Sequence, residues 1–301
     1  MLSFLRTYFL LFSLFTILVI FIWISFPLRR KKNTPPSPRR LPIIGNLHQI
    51  GLSPYRCLQA LSLKHGPLML MHFGSVPVLV ASSAEAAREI MKTHDVAFAS
   101  RPKMSIPDTL LYGSKDITFS PYGEYWRQVK SIAVVHLLNN TRVQSFRQIR
   151  EKETALAINM IENRCGSVID LSELLVKLTN NIICKVALGR TYSGLKFKDL
   201  LGRFMNVLGV FSFGNYIPKL SWIDRLSGLE SEARKVADDF DEFLEGVVEE
   251  HISNKKGVDA KTDEDQDLVD ILLEVQRDNL TGFSLHKDTI KAIILSSNTY
   301  Q

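Results

Sequence analysis

The longest uncharged run in the chain lies between Arg6 and Arg29. Thr7 to Leu28 is mostly Leu, Phe, Ile and Val, with Tyr8 and Trp23 near its ends. As a helix it would be roughly 30 Å long, the thickness of a bilayer core. Aromatic residues near both ends suit the two interfaces. No small-residue cleavage site follows, and Arg29-Arg-Lys-Lys32 comes directly after. The pattern predicts an uncleaved transmembrane anchor over residues 1–28.

Residues 29–46 form a basic and proline-rich hinge, with Pro35, Pro36, Pro38 and Pro42 excluding helix. Such proline density predicts a stiff extended connector. Ser53-Pro54 can open a helix that runs to about His65. Leu68 to Phe73 and Val76 to Ala81 read as two short strands of a hairpin around Gly74-Ser75. Pro77 puts the second strand at an edge. Ser82-Ser-Ala-Glu85 is a capping-box pattern for a helix to about His94. Lys103 to Tyr122 reads as loop.

From Glu124 onward the periodicity is helical: Glu124 to Leu138, Thr141 to Asn163, Leu171 to Leu188, and the run Phe197, Leu200, Leu201, Phe204, Val207, Leu208, Phe211. Leu229 to Asn254 is long, acidic and amphipathic. Asp267 to Arg277 and Ser284 to Leu295 follow, after a polar loop from Lys255 to Gln266. The expected fold is mainly α with a small β-sheet.

Charge sharpens the first segment. The chain has 301 residues and a net charge of +6. Arg29, Arg30, Lys31, Lys32, Arg39 and Arg40 hold that whole excess, and without them acids and bases balance at 31 each. A nucleic-acid binder carries its basic charge on the folded part. Here the charge flanks an apolar segment, so the expected partner is a lipid bilayer and not nucleic acid. The positive-inside rule places residues 29 onward in the cytosol. The sequons at Asn139 and Asn279 should then stay unmodified. Cys57, Cys165 and Cys184 are odd in number and far apart, which excludes a disulfide framework or a paired-cysteine metal site. No HExxH, Walker loop, GxGxxG or GxSxG occurs.

The candidate chemistry lies in Phe119-Ser-Pro-Tyr-Gly-Glu-Tyr-Trp-Arg-Gln-Val-Lys130. Trp126 and Lys130 are four apart and share one helix face. An indole N–H and an ammonium are donors that suit a carboxylate or phosphate, and Arg127 adds a planar donor fork. Spacing alone is met equally by a solvated helix face with a core indole.

Taken with the hinge Pro35-Pro-Ser-Pro38 and Leu41-Pro-Ile-Ile-Gly-Asn-Leu-His48, and with Phe98-Ala-Ser-Arg-Pro102, this stretch resembles a cytochrome P-450 of the plant microsomal type. The resemblance runs from residue 1 to about Leu295. It implies an endoplasmic reticulum membrane protein with a single-pass anchor, residues 47–295 being the N-terminal part of a haem domain. Haem would be the cofactor, held at its propionates by Trp126 and Lys130, with Arg101 and Arg127 as further cations. The substrate region would include Ile106, Leu110, Phe119, Phe204, Leu208 and Phe211; an ordinary core helix accounts equally well for the last three. The family inserts oxygen into lipophilic small molecules, with electrons from NADPH through a reductase.

One family feature is missing. No Phe-x-x-Gly-x-Arg-x-Cys-x-Gly loop occurs, so no cysteine matches the haem-iron ligand. Lys291-Ala-Ile-Ile-Leu295 is similar to the start of the family's central helix, and residues 296–301 form an atypical tail. The expectation is a truncated and inactive family member. The alternative is a non-catalytic, membrane-anchored binding or regulatory fragment.

Overall fold

A computed structural model describes residues 2–25, 34–192, 195–254, 266–278 and 285–299. The chain divides into two compact units, Met1–Phe98 with Phe213–Ile223, and Ala99–Ser212 with Asp224–Gln301.

The first unit begins with helix α1, Leu2–Ser25. Its side chains are described only from Tyr8 to Phe21, about 21 Å of helix at 1.5 Å per residue. Among the described residues no helix is long and apolar enough to cross a membrane. The span expected over residues 7–28 is therefore not shown, and the basic run from Arg29 to Lys32 lies outside the described residues.

Helix α2, Pro54–His65, precedes an antiparallel hairpin of β1, Leu68–Phe73, and β2, Val76–Ala81. Leu68 pairs with Ala81 and Phe73 with Val76. Gly74 turns the corner at φ +60°, and a side chain there would strike the Tyr216 carbonyl. The proline-rich segment stays extended, as its sequence requires, and docks on β1. The Leu70 amide donates to the Pro36 carbonyl at 2.8 Å, and the His72 amide donates to Asn46 Oδ1 at 2.8 Å. Asn46 is fully buried. With that segment on β1, β2 is the open edge, and Pro77 sits where its missing N–H costs least. Helix α3, Ala84–Arg88, is capped by Ser83, whose hydroxyl accepts from the Ala86 amide at 3.2 Å. The cap is one residue later than the capping-box spacing suggests, so Glu85 falls in the first turn and cannot close the box. A π turn and the short α4, Asp95–Phe98, follow, then α11, Phe213–Tyr216, and α12, Ser221–Leu226, further along the chain.

The second unit is helical. Its elements are α5 Ser105–Leu110, α6 Glu124–Ile132, α7 Asn140–Ser145, α8 Arg147–Glu162, α9 Leu171–Leu188, α10 Leu195–Leu208, α13 Leu229–Asn254, α14 Leu268–Asp278 and α15 Lys287–Thr299. Two expectations change. The stretch read as loop holds α5, because Pro107 falls in its first turn, where a proline is tolerated. The helix expected over Thr141 to Asn163 breaks at Phe146. Asn139 caps α7 through its own amide group, with Oδ1 accepting from the Arg142 amide at 2.9 Å. Asn279 lies outside the described residues.

Helix α13 buries Ala233, Val236, Phe240, Leu244 and Val247, a helical stripe three to four residues apart, with Val248 beside it. Phe240 meets Phe204 of α10 edge-on at 5.2 Å. Ile290, Ala292, Ile293, Ile294 and Leu295 of α15 are buried on most sides, and α15 continues to Thr299, through the start of the segment read as a tail. By contrast α8 and α9 leave Leu156, Ile158, Ile161, Leu175 and Val176 exposed.

Buried charges stitch these helices together. Lys291 of α15, 5% exposed, meets Asp241 and Glu245 of α13, each at 2.6 Å. Glu245 also meets Lys287, and Tyr112 donates to Asp241 at 2.8 Å. On α13 and α14, His251 Nε2 lies 2.9 Å from Asp267 Oδ2 while Asp267 Oδ1 accepts the Asp270 amide. Burial lowers the His251 pKa, but its hydrogen bond to Asp267, the Asp267 and Asp270 charges and the Val247 carbonyl together outweigh it and the net shift is upward.

Hydrogen bonds from Lys287 and Lys291 hold Glu245 down at about 2, below its ordinary 4.5. A carboxyl depressed on folding stabilises fully above its unfolded value and loses that contribution as pH falls toward the folded one. Near-ultraviolet dichroism should therefore decline as pH falls from about 4.5 to about 2. Glu245→Gln should flatten that part of the titration, and an unchanged profile would count against the network.

Candidate site at the start of helix α6

Helix α6 starts where the sequence indicates, directly after Gly123. Its face brings Trp126 and Lys130 together, with the ammonium 4.7 Å from the indole ring centre. With Lys130 exposed and the indole half-buried, that contact is worth about 0.5–1 kcal/mol. Tyr122 stacks on Trp126 at 5.5 Å, and the Arg127 guanidinium lies 5.8 Å from the Tyr122 ring. Arg127 and Lys130 are therefore seated on aromatic surfaces with their charges outward.

The indole N–H is engaged. It donates to the Ile117 carbonyl at 2.9 Å. Arg101 Nε donates to the neighbouring Thr118 carbonyl at 3.1 Å, and the Tyr125 hydroxyl donates to the Lys115 carbonyl at 2.8 Å. Three side chains that sequence spacing treats separately converge on one five-residue turn, 115–119.

Asp116 makes that turn. Its side chain is fully buried, and Oδ2 accepts from the Thr118 amide at 2.8 Å and the Phe119 amide at 3.1 Å. Burial pushes its carboxyl above the usual range, against the opposing pull of those amides. The sequence reading missed Asp116. Its only signal is an Asp two residues before Thr118, the spacing of a side chain that closes on its own backbone.

Among the described residues no carboxylate lies within ion-pair distance of Arg101, Arg127 or Lys130, and all three are exposed. Unpaired cations beside aromatic surface suit the carboxylate edge of a flat, apolar ligand. The haem propionates are such an edge, so these residues fit that end of the group. The iron end does not fit. Burial raises the Cys184 thiol, Cys165 is exposed in a turn, and Cys57 is half-buried in the other unit.

The expected substrate residues separate. Ile106, Leu110 and Phe204 are core, Phe119 and Leu208 are half-buried against that core, and Phe211 is 44% exposed beyond the end of α10. A groove of about 830 Å³ opens elsewhere, over Tyr192, Phe197, Leu200 and Phe243 between α10 and α13.

Comparison with known proteins decides the family. The model of the family described as Cytochrome P-450 matches residues 35–298. This chain belongs to the cytochrome P-450 family. It is 55% identical over 284 residues to a 3-beta-hydroxylase of Tanacetum parthenium, covering 92% of this chain and 56% of that relative. It is 54% identical over 299 residues to cytochrome P-450 71A2 of Solanum melongena, covering 96% of this chain and 59% of the relative. The chain thus spans a little over half the length of these curated relatives. A zebra fish cytochrome P-450 solved with progesterone superposes with a TM-score of 0.64 at 22% identity, over 82% of this chain and 56% of that one, which shows a shared fold.

Replacing Trp126 by Phe in this P-450 keeps an aromatic ring and deletes the donor. The Ile117 carbonyl then loses its partner, at a cost of about 1 kcal/mol. Amide exchange at residues 117–119 should accelerate, as read by hydrogen exchange and mass spectrometry. Unchanged exchange there would show that the indole bond does not hold the turn.

Proposed function

We propose that this chain carries the propionate-binding part of a microsomal haem-thiolate monooxygenase, anchored in the endoplasmic reticulum membrane by α1. Its reaction class is oxygen insertion into a lipophilic small molecule, with electrons from NADPH through a reductase. Relatives about half identical, one of them a hydroxylase by name, support the reaction class. The uncharged run from Thr7 to Leu28 supports the anchor. The observation that carries the site assignment is that Lys130 and Arg127 lie over the Trp126 and Tyr122 rings while Arg101 is bonded to Thr118 of the adjoining turn, all three without an ion-pair partner among the described residues.

Bound haem with a cysteine thiolate supplies the oxygen activation. The residues of this chain do other work. Lys130 and Arg127 present charge to the carboxylate edge, each bond to a charged partner being worth about 1.5–3 kcal/mol. Arg101 spends Nε on Thr118 and keeps the rest of its fork for the ligand. An indole carries a single N–H, and here Ile117 holds it. The cations therefore carry the haem edge in this arrangement, and the Trp126 ring acts as the seat for Lys130.

The edge assignment is tested with the full chain in detergent, titrated by absorbance with haemin and with haemin dimethyl ester. The ester keeps the ring and iron and removes both carboxylates. It should bind about tenfold more weakly or worse, equivalent to about 1.4 kcal/mol. Lys130→Met should weaken haemin and leave the ester unaffected. Equal affinity for the two ligands would sink the assignment.

A further inference from the structure

The Asp116 side chain is fully buried, yet among the described residues no cation pairs with it. Its Oδ1 has no hydrogen-bond partner at all. A buried carboxylate without a cation is costly, and an unsatisfied buried oxygen in a fold calls for a reason. What the structure shows in return is geometry. By gathering the Thr118 and Phe119 amides on Oδ2, Asp116 closes the turn, and the carbonyls on that turn meet three side-chain donors: Tyr125, Trp126 and Arg101.

We propose that Asp116 is a positioning residue for the carboxylate-binding cations: it sets the 115–119 turn, the turn holds Arg101 and the Trp126 indole, and the indole ring seats Lys130. This rests on the haem-edge assignment above. Asp116 touches no cofactor on this account and acts through Trp126 and Arg101. A purely local turn-closing role would end at the Thr118 and Phe119 amides and would leave the cations alone.

The test is a haemin titration of the full chain in detergent, wild type against Asp116→Ala, Asp116→Asn, Trp126→Phe and the Asp116→Ala/Trp126→Phe pair. Asp116→Ala should raise the haemin Kd about tenfold. Asp116→Asn should stay within about threefold of wild type, because its one amide oxygen can take the place of Oδ2 and accept the two amides. The double variant should lose less affinity than the two single losses combined, because part of the Asp116 effect runs through Trp126 and only the Arg101 part remains to be lost. Wild-type affinity in Asp116→Ala, or full additivity in the pair, would overturn the proposal.

If far-ultraviolet dichroism shows that Asp116→Ala does not fold, Asp116→Asn decides. Retained exchange protection at Thr118 and Phe119 together with retained haemin affinity supports the proposal. Retained protection with lost affinity overturns it. Failure of the underlying assignment has a separate signature, in which wild-type chain binds no haemin or Lys130→Met leaves haemin affinity unchanged. A loss in Lys130→Met without a loss in Asp116→Ala removes this inference alone.

Discussion

A carboxylate cannot be buried without donors, and Asp116 takes its donors from the residues just after it, the Thr118 and Phe119 amides and the Thr118 side chain. That constraint shapes the region around it. Once the Thr118 and Phe119 amides turn inward to Oδ2, neighbouring carbonyls are left needing partners of their own. Tyr125, Trp126 and Arg101 supply them from outside the turn. Tyr125 also reaches Thr289 at 3.1 Å, and Lys115 meets Asp288 at 2.8 Å, so the same turn is tied to the first residues of α15. A local backbone requirement thereby becomes a long-range contact between α6 and α15.

The second constraint acts a few residues further along α15. Lys291 is almost fully buried, and an unpaired ammonium there would be prohibitive. Asp241 and Glu245, one turn apart on α13, face it together, and Tyr112 closes the group from the end of α5. Hydrophobic burial presses α15 against its neighbours but does not choose a register, since Ile290, Ile293 and Ile294 could slide by a turn and stay covered. A buried cation between two fixed carboxylates leaves one register only. Glu153 and Lys185, with Asn181 at 3.0 Å, do the same for α8 and α9.

Much of this architecture is written in periodicity. The stripes of α9, α10 and α13, the hairpin, the proline-stiffened segment and the start of α6 all follow from residue type and spacing. Where the sequence misleads, the cause is local. Ser82 and Ser83 are both competent caps, and only tertiary placement chooses the second. Pro107 is a breaker in a helix interior and harmless in a first turn. Phe146 interrupts a run whose composition is uniformly helical. The site is only half readable. The Trp126 and Lys130 pairing follows from four-residue spacing, but the turn beneath it does not. Its bonds run to main-chain carbonyls, which every residue owns and no motif marks. Ile106, Leu110 and Phe204 are buried in the core, and apolar residue type alone does not separate a lining residue from a packed one.

The division of labour within the site follows from exposure. Arg127 and Lys130 face water, where charge attraction is screened and a single pair contributes little. Their placement comes from neighbouring groups: Lys130 and Arg127 lie over the Trp126 and Tyr122 rings, and Arg101 is bonded to the adjoining turn. Cys184 illustrates the converse. It is buried, its thiol is pushed up by that burial, and its sulfur faces Asn180 at 3.8 Å, so it stays a packing residue and not a thiolate.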